Sequence, residues 1–343
     1  MRYVVFVIIT IGILSTSRIS GRKTEVLTYE HLEQHYKSLM NYFDLINPEY
    51  DHNRITVYKF LETQKSSYII FIQDDEENHF VVKQEKADSM SKQFRAVSEA
   101  VCAYIAYFTA IPSHKVCIIP TNVPFPGKFI TKRVATLHTL VPGYTIRSNP
   151  KGLYAKLNIK QSTELDIADD QRGFTEQTIY WMSQHPDLVL ITALDTFLGN
   201  KDRNKANILY DPEGDSFYSI DMALMFDILS DRKLVSLVAC ENVAAMIENN
   251  KIFTVQELYA LQHYRTILKK LVKKFPPKVL MEIFNKYYEV SGITDIKAPK
   301  SKMISVILNG YIRAIKQSYV HIKKLIYLLS ILISNNEKLL FKE

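Results

Sequence analysis

Two carboxylates and one amide stand out by type and spacing. In the run Leu198-Gly199-Asn200-Lys201-Asp202-Arg203-Asn204-Lys205-Ala206-Asn207-Ile208-Leu209-Tyr210, Asn207 lies five residues beyond Asp202. A turn at Asp211-Pro212-Glu213-Gly214-Asp215 follows, then Phe217-Tyr218-Ser219-Ile220-Asp221, which sets Asp221 fourteen beyond Asn207. Phosphoryl transfer needs a carboxylate beside the attacking hydroxyl and hard oxygen ligands for the Mg²⁺ that neutralises phosphate charge. A loop carboxylate, an amide at the loop's end and a second carboxylate on a paired strand meet that need. The turn folds one strand back on the other and so brings Asn207 and Asp221 together. Polar clusters of this kind are common as plain turn chemistry. The three residues together, behind an apolar helix, point instead to a site.

The elements that must position them fall into two groups. Extended runs at 54–60, 68–72 and 80–83 are separated by a turn on Gln64-Lys65-Ser66-Ser67 and by the charged tip Gln73-Asp74-Asp75-Glu76-Glu77-Asn78. A helix over about 90–108 follows, with Phe94, Val97, Val101 and Ile105 at helical spacing on one face. Ile111-Pro112 ends it, and strands at 116–119 and 128–134 complete the first group. Beyond Pro142-Gly143 helices dominate, at 175–183, 187–198, 235–247, 255–275, 279–290 and 303–333, with two short strands at 207–210 and 217–221. Strands first and helices after imply segregated α+β layers or two lobes, with a ligand in the crevice between them. The expected divisions are a leader at 1–20, a helical extension at 21–47, a strand-rich unit at 48–136 and a helical unit at 137–343. The join falls at Leu137-His138-Thr139-Leu140-Val141.

The run from Gly199 to Asn207, Asp-Arg-x-x-x-Asn, with Ile220-Asp221 at a strand end, resembles the loops of the atypical kinases. That group includes the phosphoinositide 3/4-kinase-like and HipA-like enzymes. The resemblance implies that Asp202 is the catalytic carboxylate, Asn207 a Mg²⁺ ligand and Asp221 the principal Mg²⁺ ligand. Upstream, Lys65-Ser66-Ser67 through Asp74-Asp75 to Phe80-Val81-Val82-Lys83 is similar to the HipA-like hairpin. It implies Lys83 on the α/β-phosphates of ATP, Ser66 and Ser67 beside the phosphates, and Glu99 as the acid that pairs with Lys83. By themselves, an edge-strand lysine and a solvated helical glutamate are the ordinary readings of Lys83 and Glu99.

The likeness spans about residues 54–226 and implies a bilobal kinase-like fold using ATP and Mg²⁺. The acceptor it implies is a hydroxyl, on a protein by preference. The rivals are a lipid or small-molecule kinase, AMP transfer, and a non-catalytic binding module. Three departures stand beside it: no Gly-x-Gly-x-x-Gly precedes Lys83, Asn204 stands where phosphoinositide kinases carry His, and Met222-Ala223 replaces Phe-Gly.

Composition is permissive. Apolar residues at 47% and charged residues at 23% describe a globular chain with a real core. The net charge of +7 allows a phosphate-bearing ligand without selecting nucleic acid or membrane, and no nucleic-acid-binding motif is present. Arg2 before an uncharged, mostly apolar run at 3–14 and then Ser15-Thr16-Ser17 reads as a signal peptide, with an uncleaved anchor as the alternative. The expected destination is the secretory pathway or envelope, or another cell. Cys102, Cys117 and Cys240 read as buried thiols. His31 and His35 share a helix face but lack a third zinc ligand. The lysines at 269, 270, 273 and 274, and Lys323-Lys324, could lie on an anionic membrane and are taken here as helix faces.

Overall fold

The computed structural model describes residues 55–62, 67–74, 77, 79–85, 90–119, 133–145, 174–203, 207–223, 225, 233–293 and 301–340. The expected leader, the extension at 21–47 with His31 and His35, and Ser66 lie outside them.

Strands β1 (Ile55–Glu62), β2 (Ser67–Asp74) and β3 (His79–Glu85) form an antiparallel meander, with a register shift between Val57 and Lys59. Alternating aromatic and β-branched residues suit each of them to a pleated surface. Helix α1 (Met90–Phe108) follows, and β4 (Val116–Ile119) and β5 (Ala135–Thr139) complete a five-stranded sheet in the order β1-β2-β3-β5-β4.

Two expectations need correction here. A fifth strand runs through Ala135–Thr139 and so takes in Leu137 and His138, which the sequence assigns to a connection, while the strand expected at 128–134 lies mostly outside the described residues. Thr136 and His138 interrupt its apolar pattern, yet both are buried and hydrogen-bonded to each other, so the strand is interior despite its polarity. Helix α1 is also more deeply set than a one-faced pattern suggests. From Gln93 to Ala106 every residue but Arg95 is buried, with Ala96, Ala100, Ala103 and Ala106 letting neighbours approach the sides away from Phe94 and Val97. A helix enclosed nearly all round is a core helix.

The remaining chain is mainly helical: α2 (Glu176–Gln184), α3 (Pro186–Leu198), α4 (Val235–Glu248), α5 (Val255–Lys274), α6 (Pro277–Val290) and α7 (Ser301–Leu340). A second small sheet, β6 (Tyr144–Thr145), β7 (Ile208–Asp211) and β8 (Ser216–Ser219), is inserted among them. Gly143, at φ 103°, lets β6 meet β7, because a side chain there would strike the Tyr210 carbonyl. One core joins the parts: Phe94 of α1 stacks on Tyr288 of α6 at 5.3 Å and on Tyr311 of α7 at 6.1 Å. Lys274, from the basic stripe, donates to the Phe108 carbonyl at 2.6 Å and so caps α1, while Lys269, Lys270 and Lys273 are exposed. Among the described residues no helix is long and apolar enough to cross a membrane.

Candidate functional site

Helix α3 ends where Gly199 turns left-handed, at φ 66°, and releases the loop that carries Asp202. Asp195, in the last turns of this apolar helix, is buried and needs a cation. Arg203 supplies it. Its Nε and one Nη donate to the two Asp195 oxygens at 2.7 and 2.9 Å, the forked geometry of a strong ion pair. The same guanidinium donates to the carbonyls of Ile220 (2.8 Å) and Asn207 and to the Ser219 hydroxyl. All five N–H groups of Arg203 are thereby used, and one side chain staples α3, the loop, β7 and the end of β8. Burial alone would weaken the charge on Arg203, but Asp195 outweighs it and holds the group above its ordinary value.

Within the loop, Asn200 donates to Asp195 at 2.8 Å and accepts the Asp202 amide at 3.1 Å. Asn207 donates its Nδ2 to the Asp202 carbonyl at 2.7 Å, which leaves its Oδ1 as a hard oxygen. Ile220 N–H donates to the Asn207 carbonyl at 3.1 Å, so the hairpin sets Asn207 beside the residue preceding Asp221. Asp221 itself is not at a strand end as expected, since β8 stops at Ser219. The Ser219 amide turns away to the Pro112 carbonyl at 3.0 Å, and Asp221 adopts a left-handed φ of 52°. That conformation costs a non-glycine residue about 1 kcal/mol or more, and here it delivers the carboxylate to a lysine.

The lysine is Lys83, on β3 between Ile69 of β2 and Thr136 of β5. Its Nζ lies 2.6 Å from Asp221 Oδ1 and 3.3 Å from Glu99 Oε2 of α1. The Asp221 side chain is 41% exposed against 14% for Lys83 and 2% for Glu99, so Asp221 is the group of the three that a ligand can reach. Burial would lower Lys83, but the Glu99 and Asp221 carboxylates override it and raise it above the usual lysine range. Burial raises Glu99 against the pull of Lys83. For Asp221, burial acts upward but Lys83 wins, and the carboxyl is held below its ordinary value.

Lys83, Glu99 and Asp221 are therefore brought together, and Asp202 and Asn207 are joined through the loop. Ser67 is not among them: it is buried at the start of β2 and donates to Glu85 Oε1 at 3.3 Å. Two residues that sequence reasoning passes over lie behind Glu99. His114 Nε2 is 4.0 Å from Glu99 Oε1, and the His114 and His138 rings are 4.8 Å apart. Burial, foremost, pushes both imidazoles down to about 3, so both are neutral near pH 7. No local spacing announces them, because they meet only through the sheet. The signal for Arg203 and Asp195 was present, as an acid in the last turns of an apolar helix, far from the N-terminal end where Asp187 sits, implies a nearby cation. The three cysteines are free and buried as expected.

No family model matches this chain, and no curated protein matches its sequence. Among solved structures, the proinflammatory kinase CtkA of Helicobacter pylori is similar over 83% of this chain and 96% of its own, at 13% identity and a TM-score of 0.43. The open conformation of CtTel1 is similar over 85% of this chain but only 12% of its own, at 12% identity and a TM-score of 0.42. Neither reaches a TM-score of 0.5, and neither assigns a role to any residue of this chain.

Proposed function

We propose that the chain is a kinase-like phosphotransferase, with two lobes and a nucleotide cleft between them. The observation that carries the reading is a single lysine Nζ held by two carboxylates that lie 16 and 138 residues away, one buried on a helix and one open to solvent. A buried ion pair is costly unless its geometry is excellent, and a strained, exposed carboxylate at its outer end is poorly explained by stability alone.

The donor set fits Mg²⁺ and ATP. Asp221 and Asn207 Oδ1 are hard oxygens on one hairpin, and Lys83 is a fixed cation for phosphate. Mg-ATP, when bound, supplies the phosphoryl group and the counter-charge for it. Glu99 keeps Lys83 extended toward the cleft, and Asp221 and Asn207 are the metal ligands. Asp202 orients the acceptor hydroxyl or takes its proton. Arg203 holds loop and hairpin in register, so that catalysis is mainly positioning and charge neutralisation. The acceptor class is a protein hydroxyl, and the site of action is the secretory lumen or a recipient cell. N-terminal sequencing of the mature protein tests that location, since retention of Met1 in a cytosolic protein would refute it.

The function is tested by incubating the purified protein with Mg²⁺ and ATP labelled at either the γ- or the α-phosphate, beside Asp221→Ala. Label transfer from the γ position alone, abolished in the variant, is expected. Transfer from the α position would make the chain an AMP transferase. Nucleotide binding without transfer would make it a binding module, and absence of both would end the nucleotide reading.

A further inference from the structure

Behind the ion pair lies a buried cluster of which the proposed phosphotransfer uses only Glu99, through Oε2. Glu99 on α1, His114 in the α1–β4 connection and His138 on β5 each bring one donor atom within 4.8 Å of the others. Two of those side chains hold buried atoms without a hydrogen bond, Glu99 Oε1 and His114 Nε2. The residues are only 2% and 4% exposed. An orphaned buried polar atom costs about 1–3 kcal/mol, and two of them facing each other across 4.0 Å is a concentration that calls for an occupant. The third residue is oriented from outside. The Thr136 hydroxyl donates to the Lys83 carbonyl at 3.4 Å and stands 2.7 Å from His138 Nε2. A ring proton on Nε2, given to that hydroxyl, would leave Nδ1 to present the lone pair. A hydrogen bond of this kind is how proteins fix the tautomer of a metal-binding histidine.

We infer that Glu99, His114 and His138 form a three-ligand site for a divalent transition ion, Zn²⁺ before others, with water in the fourth position. Two imidazoles and a carboxylate suit Zn²⁺ and are a poor set for Mg²⁺ or Ca²⁺, which take oxygen ligands. Bonds of about 2.0–2.2 Å put tetrahedral donors about 3.3–3.5 Å apart, so on binding the 4.0 Å pair closes by about half an ångström and a pair as wide as 4.8 Å by about 1.3 Å. Charge permits it: Lys83, Glu99 and Asp221 together carry one net negative charge beside the cluster, which offsets part of the dication. The imidazoles are already neutral, the state that ligates. An ion here would hold Glu99 by Oε1 and thereby fix Oε2 on Lys83. The inference does not depend on phosphotransfer, and holds or fails separately from it.

The test uses the full chain after dialysis against chelator, titrated with Co²⁺ as a visible probe and then with Zn²⁺. The expected result is one equivalent of Co²⁺ with a tetrahedral d–d band, its displacement by Zn²⁺, and a melting temperature raised by Zn²⁺ but not by Mg²⁺. His114→Asn and His138→Asn should each weaken Co²⁺ binding at least tenfold. Asp221→Asn and the His31→Ala/His35→Ala double variant should keep the band. A wild-type chain without a stoichiometric band overturns the site even where a histidine variant fails to fold, and would leave a bridging water between Glu99 and His114. Loss of the band in Asp221→Asn or in the double variant would move the ion elsewhere and overturn it equally.

Discussion

Arg203 and Lys83 are both enclosed cations set between acids, yet their surroundings differ. Arg203 spends every N–H on an acceptor: two carbonyls, the Ser219 hydroxyl and the Asp195 carboxylate, which Asn200 also bonds. Lys83 sits where one carboxylate is exposed and strained and the other has an oxygen with no donor. A satisfied network fixes geometry and has nothing left to offer a ligand, whereas an incomplete one retains capacity to bind. The contrast separates a saturated ion pair, which fixes the loop, from one with bonding capacity to spare.

The sharpest way to break the comparison is Arg203→Met. It leaves Asp195 buried without its cation, and a loss of about 3–5 kcal/mol in urea unfolding is expected. A loss below about 1 kcal/mol would rank the network with surface ion pairs. The next effect is acid sensitivity around Lys83, measured in chelator. His114 and His138 are held down to about 3 when folded, so the unfolded chain binds the protons as pH falls below the ordinary 6.5. Stability is complete above that value and is lost on acidification, by about 2 kcal/mol per histidine between pH 7 and pH 5. His114→Asn should remove about half of that slope, and an unchanged slope would show that the protons go elsewhere.

Lys83→Met comes third, at about 1–3 kcal/mol at neutral pH, with nucleotide binding abolished. Glu99 is already raised by burial and rises further without the lysine. A raised carboxyl contributes stability at low pH that disappears as pH climbs through its folded value, so the deficit should shrink from pH 7 to pH 5. A pH-independent deficit would deny that Glu99 is charged in the native pair. The smallest effect belongs to Lys233→Ala. Its pair with Glu241 spans 2.9 Å, but both side chains are largely exposed, and a change within about 0.5 kcal/mol sets the baseline for the rest.

Much of this frame was legible in the sequence. Helices α1 to α7 lie within a few residues of their expected spans, apart from the longer ends of α7, because long apolar periodicity is a strong signal. Asp202, Asn207 and Asp221, whose roles remain part of the proposal, stand out in the sequence because they lie in one contiguous stretch. Lys83 and Glu99 needed the resemblance, since nothing local sets them apart from any strand lysine or helical acid. The placement of β5 was not legible: Thr136 and His138 look like surface residues until the sheet buries them. Nor was the Glu99–His114–His138 cluster, whose members meet only after β5 inserts between β3 and β4. The left-handed turn at Asp221 is likewise a product of tertiary bonding at Ser219, with no glycine to announce it.

Helix α7 spans 40 residues, about 60 Å, and packs against α4 and α5 while its Tyr311 hydroxyl lies 3.1 Å from Ser98, next to Glu99 on α1. Of the described elements it is the last to leave the ribosome. A nascent chain can thus contain Lys83, Glu99 and Asp221, with α1 already resting on the sheet and on α6, before Tyr311 of α7 arrives to complete the packing around Ser98. Until α7 has packed on α4 and α5 their apolar faces stay open, and that interval is when the half-built protein most needs a chaperone.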